Sequence, residues 1–426
     1  MLDSLTKSTY EAILKYELRP AMGCTEPIAI AYASSILGEL ISGCPERINA
    51  KFTGNIIKNV KSVIVPMTGG RHGIEAAIAA GLISARPDKR LEVLTVLTAD
   101  DEKKIDALLS SCDIKIDKLN TKCSFELELI GYLGENEARV KISGAHTNVT
   151  EASLNGEDLS AKYREMTIVE ESGDAPDYSL LNVADIIKYA EESDLKEISF
   201  YLKRQIEMNM AIAKEGLKGK WGAQIGNVML SMGDDVSRRA RAYAAAGSDA
   251  RMSGCEMPVC IISGSGNQGI TASVPVAIYA YDMGVSEEEL LRALLVSDLI
   301  TIHQKTGIGT LSAYCGAISA GVGAGAGICY LKGGRFREIA HTLVNSVAIL
   351  SGTICDGAKP SCAAKIAMAV EAGIMGYQMW QNGSQFHGGD GIVTKGVENT
   401  IKNVGRLAKE GMSDTDREII EIMLGI

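Results

Sequence analysis

Apolar residues recur every three to four positions through residues 8–18 and 27–42, the spacing that lines one face of a helix. Pro27 suits the first turn of the second segment, where a missing N–H has no partner to lose. The texture then changes. Residues 49–66 and 91–98 (Leu-Glu-Val-Leu-Thr-Val-Leu-Thr) read as strands, with a helix between them that ends near Gly81–Ala85. Cys123–Leu133 and Glu137–Gly144 alternate apolar and polar positions around Gly134-Glu-Asn-Glu, the pattern of a hairpin. Beyond about residue 175 the alternation fades, and helical stretches are expected at 180–215, 222–246, 273–284, 286–304, 336–351 and 361–380, separated by glycine-rich loops. The expected fold class is α+β: a mainly helical catalytic domain of residues 1–45 and 171–426, interrupted by a smaller mixed α/β module at 46–170.

One stretch imitates a membrane span. Residues 311–331 carry no charge, but their content is mostly Gly, Ala and Ser, so they read as buried backbone pressed against another helix or a cofactor. The net charge, 43 − 53 = −10, is spread along the chain, which argues against nucleic acid as a partner. Met1–Tyr10 is charged early and lacks the apolar run of a signal peptide, so a cytoplasmic protein is expected. Ten cysteines in that compartment mean buried thiols, metal ligands or catalytic groups rather than disulfides. Cys44, Cys112, Cys123, Cys255, Cys260 and Cys329 read as inert core thiols.

Two constellations carry chemistry. Cys315, Cys355 and Cys362 lie 40 and then 7 residues apart, unlike a C-x-x-C pair, but each sits beside Gly, Ser or Ala, which let backbone N–H groups approach sulfur. Three soft thiolates suit an iron–sulfur cluster or zinc and leave one metal position open; inert thiols are the alternative. The second is the loop Ser263–Val276, which enters a helix whose start Pro275 marks and whose N–H groups would attract a carboxylate. Part of it, Ser265-Gly-Asn-Gln-Gly, is similar to the carboxylate loop of pyridoxal-phosphate β-eliminating enzymes. No lysine stands between Lys220 and Lys305 to form the Schiff base, so pyridoxal phosphate is the runner-up.

Gly23-Cys-Thr-Glu-Pro27, Asn55-Ile-Ile-Lys-Asn59, Gly144-Ala-His-Thr-Asn148, Gly219-Lys-Trp-Gly222, Ser248-Asp-Ala-Arg251, Ser263–Thr271, the cysteine trio and Ile354-Cys-Asp-Gly357 occur in that order. With them the chain resembles, over nearly its whole length, the iron–sulfur L-cysteine desulfidases, relatives of the iron–sulfur L-serine dehydratases. The resemblance implies a [4Fe–4S] cluster on Cys315, Cys355 and Cys362 and conversion of L-cysteine to pyruvate, ammonia and hydrogen sulfide without pyridoxal phosphate. It also implies Cys24 as catalytic base, a thiol whose pKa the adjoining helix N-terminus lowers; a cap on the open iron is its other reading. Ser265, Asn267 and Gln268 are assigned to the substrate carboxylate or amino group, and Asn59, His146 and Asn148 to the pocket lining, with a structural His146 as the alternative. Glu26 reads as a helix cap. Serine dehydratases are expected to carry a further cysteine near the C-terminus, and no thiol follows Cys362, which favours the desulfidase. A cluster-bearing sensor is the third reading, without a basic patch to support it. The expected partner is a small-molecule substrate, with no nucleic acid and no membrane, and a homodimer is one assembly open to the chain.

Overall fold

Two bodies of buried apolar side chains organise the chain, one around a sheet and one within a stack of helices. The computed structural model describes residues 2–23, 25–121, 123, 125–164, 176–309 and 312–425. The chain begins with α1 (Ser4–Glu17), the short β1 (Pro20–Met22) and α2 (Thr25–Ile41). It then builds β2 (Arg47–Phe52), α3 (Gly54–Val60), α4 (Ile74–Ser84), α5 (Asp101–Ser111), β3 (Asp113–Lys118), β4 (Glu126–Leu133), β5 (Asn136–Ser143), β6 (Val149–Leu154) and β7 (Glu157–Asp158). These strands form one sheet in the order β3-β2-β4-β5-β6-β7, parallel between β2 and β3 and antiparallel elsewhere.

The expected hairpin is β4 and β5. Leu127 and Leu129 point into the core with Val140 and Ile142, while Glu126 and Glu128 lie on the other face, where Lys141, Lys51 and Arg139 pair with them. Two strand expectations need correction. The strand expected at 49–66 stops at Phe52, and Gly54–Val60 is helical. Residues 91–98 are not a strand: Pro87–Glu92 form a 3-10 helix and the chain turns onward, burying Val93, Leu94 and Leu97. Strand β2 already has β3 and β4 on its two sides, so the sheet offers that segment no edge next to it. Helix α2 also belongs with the sheet. It is apolar nearly all round, and its buried residues pack among those of β2, β4, β5 and α4, so the core of the module begins ahead of residue 46.

The helical body holds α6 (Val183–Glu192), α7 (Ser199–Lys218), α8 (Ile225–Ser231), α9 (Val236–Met252), β8 (Pro258–Cys260), which pairs with β1, then α10 (Gly266–Met283), α11 (Glu287–Ile308), α12 (Gly316–Leu331), α13 (Phe336–Leu350), α14 (Cys362–Gln381), α15 (Val397–Arg406) and α16 (Ser413–Leu424). Helix α10 starts earlier than the sequence suggests. Ser265 caps it, so Pro275 lies in mid-helix rather than near the start. Among the described residues no helix is long and apolar enough to cross a membrane. The Gly/Ala stretch is α12, sunk between α11 and α14 at backbone contact. A Cβ on Gly325 would sit 2.5 Å from the Gly373 carbonyl oxygen, and one on Gly321 would collide with the Ala369 carbonyl. Helix α16 docks on α3, where Asp416 pairs with the buried Lys58 and Ile420 fills the space over Gly54.

Among the described residues several buried polar groups of the helical core lack a full set of partners, and Asp298 is one of them. Asp298 is wholly buried, accepts from Gln205 Nε2 at 3.0 Å through one oxygen, and its other oxygen has no partner. Burial raises its pKa from 3.8 to about 7. The folded chain therefore keeps this proton where the unfolded chain has lost it, and stability falls as pH rises from about 4 to 7, by at most about 1.4 kcal/mol per pH unit. Asp298→Asn removes that decline. In denaturant titrations the variant should match the wild type near pH 4 and exceed it at pH 8; a constant gap across that range would contradict the assignment. Gly325→Val tests the helix contact, with an expected destabilisation of about 3 kcal/mol and a clear drop in melting temperature.

Candidate functional site

Cys315 and Cys355 are brought side by side by a local antiparallel pairing. Tyr314 bridges Ile354, the Cys315 N–H donates to the Thr353 carbonyl at 3.1 Å, and the Cys355 N–H donates to the Ala313 carbonyl at 2.6 Å. Cys315 occupies the cap of α12 and Cys362 is the first residue of α14, so two of the three thiols stand at helix N-termini, where a thiolate is favoured. Burial pushes the Cys315 and Cys362 thiols up, and the proximity of Cys355 adds to both, which marks the three as neighbours. Lysines surround them. Lys365 Nζ donates to the Ile354 carbonyl at 2.9 Å and to Asp356 at 2.5 Å, while Lys359 pairs with Asp356 and donates to the Gly357 carbonyl at 3.3 Å. Lys305, buried on α11, donates to the Gly309 carbonyl at 2.6 Å; burial lowers its pKa to about 8, against the pull of Cys355 and Cys315.

This donor set fits a multi-iron cluster. Among the described residues no three His, Cys, Asp or Glu side chains converge as closely as one shared metal ion requires. A cluster that gives each thiolate its own iron needs no such convergence, and positive groups around the trio compensate its negative charge. The loop that carries Cys355 is pinned against the sheet module. Gly357, at φ 92°, lies so close to the Lys58 carbonyl of α3 that a Cβ there would collide with it. Val63 and Met252 pack with Ala358 and Cys362 beside it.

A second set of contacts joins several of the sequence motifs. Asp249 accepts from the Ala223 and Ile225 N–H groups at 3.2 and 2.7 Å, which fixes the turn at Gly219–Gly222. Arg251 donates through Nη2 to the Gly23 carbonyl at 2.8 Å and through Nη1 to Asn267 Oδ1 at 3.2 Å. Ser265 caps α10 by accepting from the Gln268 N–H at 3.4 Å. The Gln268 side chain lies against Gly316, the residue after Cys315, and its Oε1 has no partner. Glu17 accepts from the Ser263 N–H and the Tyr178 hydroxyl, both at 2.7 Å, and so holds the start of the loop.

Of the expected substrate residues, Asn267 and Gln268 thus stand next to the thiol-bearing helices, and Ser265 acts on the backbone as a cap. Asn59 donates to Glu26 at 2.8 Å, tying the end of α3 to the first turn of α2; Glu26, expected as a cap, sits within the helix and serves as that tie. His146 packs at a tilt against Phe125 with ring centroids 4.5 Å apart, and Asn148 donates to the Ser143 carbonyl at 2.8 Å, both on the turn between β5 and β6 at the end of the sheet. Cys24 lies outside the described residues. Cys112, Cys255, Cys260 and Cys329 are buried as expected, whereas Cys44 is exposed and Cys123 half-buried, because both fall on loops ahead of their strands. Arg251 has no role in the sequence reading, although Ser248–Arg251 is one of the motifs behind the resemblance.

The family model described as serine dehydratase alpha chain matches residues 88–421. A UPF0597 protein of Desulfitobacterium hafniense (strain Y51) is 51% identical over 423 residues, covering 98% of this chain and 96% of the relative. A UPF0597 protein of Lachnoclostridium phytofermentans is 47% identical over 417 residues, covering 97% and 98%, and one of Treponema denticola is 43% identical over 429 residues, covering 99% of each. With a family model that matches most of the chain and relatives that align with it over nearly their whole length, the chain belongs to the serine dehydratase alpha chain family.

Proposed function

We propose that this protein is an iron–sulfur-dependent L-cysteine desulfidase, converting L-cysteine and water to pyruvate, ammonia and hydrogen sulfide. The observation that carries the reading is the meeting of Cys315, Cys355 and Cys362 around two helix N-termini and among Lys305, Lys359 and Lys365. A [4Fe–4S] cluster held at three corners would supply, when bound, an open Lewis-acidic iron that takes the substrate sulfur and stabilises the charge leaving with it. The chain's own residues do the rest. Cys24 is the proposed acceptor of the Cα proton, placed by the sequence just ahead of Thr25, where α2 begins. Asn267 and Gln268 orient the amino acid, Ser265 fixes the helix turn that presents them, and Asn59 is held toward α2 by Glu26. His146 and Asn148 are proposed to line the far side. Val63 and Met252, packed on Cys362 and Ala358, shield one side of the half-buried Cys362 thiol. The cytoplasm, where thiols stay reduced, is the proposed location.

The family description favours a second reading, dehydration of L-serine. Soft iron prefers a thiolate to a hydroxyl, which supports the first. Protein purified without oxygen should contain iron and inorganic sulfide and should release sulfide from L-cysteine faster than pyruvate from L-serine. Cys315→Ala should lose both the metal and the turnover; full sulfide release by iron-free protein would end the proposal. Cys24→Ala should keep the visible absorption of the cluster while its rate falls at least about 100-fold, and a normal rate would remove Cys24 from the mechanism.

A further inference from the structure

Among the described residues Arg251 is a buried cation without a counter-charge. It lies in the last turn of α9 and is 4% exposed. Its two hydrogen bonds go to neutral acceptors, the Gly23 carbonyl and Asn267 Oδ1; no carboxylate among the described residues pairs with it, and its Nε has no partner at all. Taking a guanidinium out of water with neither a countercharge nor a full set of acceptors is unfavourable on both counts. A protein that only needed to tie Gly23 to Asn267 could do so with a neutral amide. The vacant donor faces a particular place: a Cβ on Gly266, the first residue of α10, would collide with Nε, so the guanidinium lies against the N-terminal turn of an 18-residue helix. Two more buried polar atoms in the same motifs lack partners, Ser248 Oγ one turn earlier on α9 and Gln268 Oε1 on α10. Asn267, only half-buried, gives access from outside.

We propose that Arg251 is the anchor for the α-carboxylate of the substrate, reached through Asn267 and assisted by the first turn of α10. The anchor stands between the two halves of the chemistry. Met252, next in the chain, packs with Cys362, and Gly23, whose carbonyl Arg251 holds, precedes Cys24. An amino acid bound there has its charged end fixed by a planar, forked donor suited to a carboxylate. The assignment rests on the desulfidase reading for the identity of the amino acid, and on the geometry of this chain for the anchor.

Two inert thiols test it by calorimetric titration without oxygen: 3-mercaptopropionate, which keeps the carboxylate, and cysteamine, which lacks it. The wild type should prefer the carboxylate. Arg251→Gln should weaken 3-mercaptopropionate about 30-fold or more and leave cysteamine within about threefold. Arg251→Lys, which keeps the charge, should fall between the two, and carries the same comparison if the glutamine variant does not fold. For turnover of L-cysteine, Arg251→Lys should raise KM far more than it lowers kcat. Equal losses for both thiols, or a wild type that does not prefer the carboxylate, would overturn the anchor while leaving sulfide release to judge the desulfidase. No sulfide release, with the carboxylate preference present and lost in the variants, would sink the desulfidase and keep the anchor.

Discussion

The backbone contact between α12 and α14 sets the spacing on which the site depends. Cys315 caps the first of these helices and Cys362 opens the second, so the two thiols can be no better placed than the helices are packed. Gly321 against Ala369 and Gly325 against Gly373 bring the helices together without intervening side chains, and such contacts leave little freedom to slide. The third thiol arrives differently. Cys355 is carried on a loop that has no helix of its own and takes its position from the pairing with residues 313–315 and from Gly357 pressed onto α3. Two thiols are thus fixed by the helical core, and one by the seam between the core and the sheet module.

That seam gives the sheet module a physical reason to be there. Its α3 buttresses the Cys355 loop from one side, and α16 returns from the far end of the chain to hold α3 through Lys58 and Asp416. Asn59 and Glu26 then tie α3 to the start of α2, next to Gly23, and Arg251 ties Gly23 to Asn267. A closed circuit of hydrogen bonds and close backbone approaches therefore runs from the thiols through the module to the loop before α10 and back to Gly316. Its polar members are buried (Lys58, Arg251, Gln268) or half-buried (Glu26, Asn59, Asn267), and their hydrogen bonds hold position because breaking one in a region of low dielectric is unfavourable.

Charge reinforces the arrangement. The chain as a whole is acidic, at −10, yet the thiols are ringed by lysines with Asp356 as the carboxylate that links two of them. Local positive potential in a negative protein is a sign of a bound anion. Arg251 repeats the theme a short way off, with a positive group held in place by neutral partners.

Periodicity made helices such as α6, α7 and α13 and the β4–β5 hairpin legible, because each buries one face and the spacing of apolar residues records which. The Gly/Ala content of α12 likewise announced close contact with a helix or a cofactor, and the helix is what the packing shows. The segment at 91–98 was misread because its apolar residues satisfy a strand as well as a turn, and only the occupied neighbours of β2 decide between them. The limits of α2 were legible but its packing was not, for a related reason: a helix apolar all round does not say which of two cores it enters. By itself the sequence determined the donor types, the glycine positions and the candidate thiols, since these are properties of single residues and short spacings. The tertiary structure decided which of them meet. Cys315, Cys355 and Cys362 are separated by up to 47 residues, and Arg251 reaches a carbonyl 228 residues away; no local pattern encodes such contacts, because they follow from how buried surfaces stack.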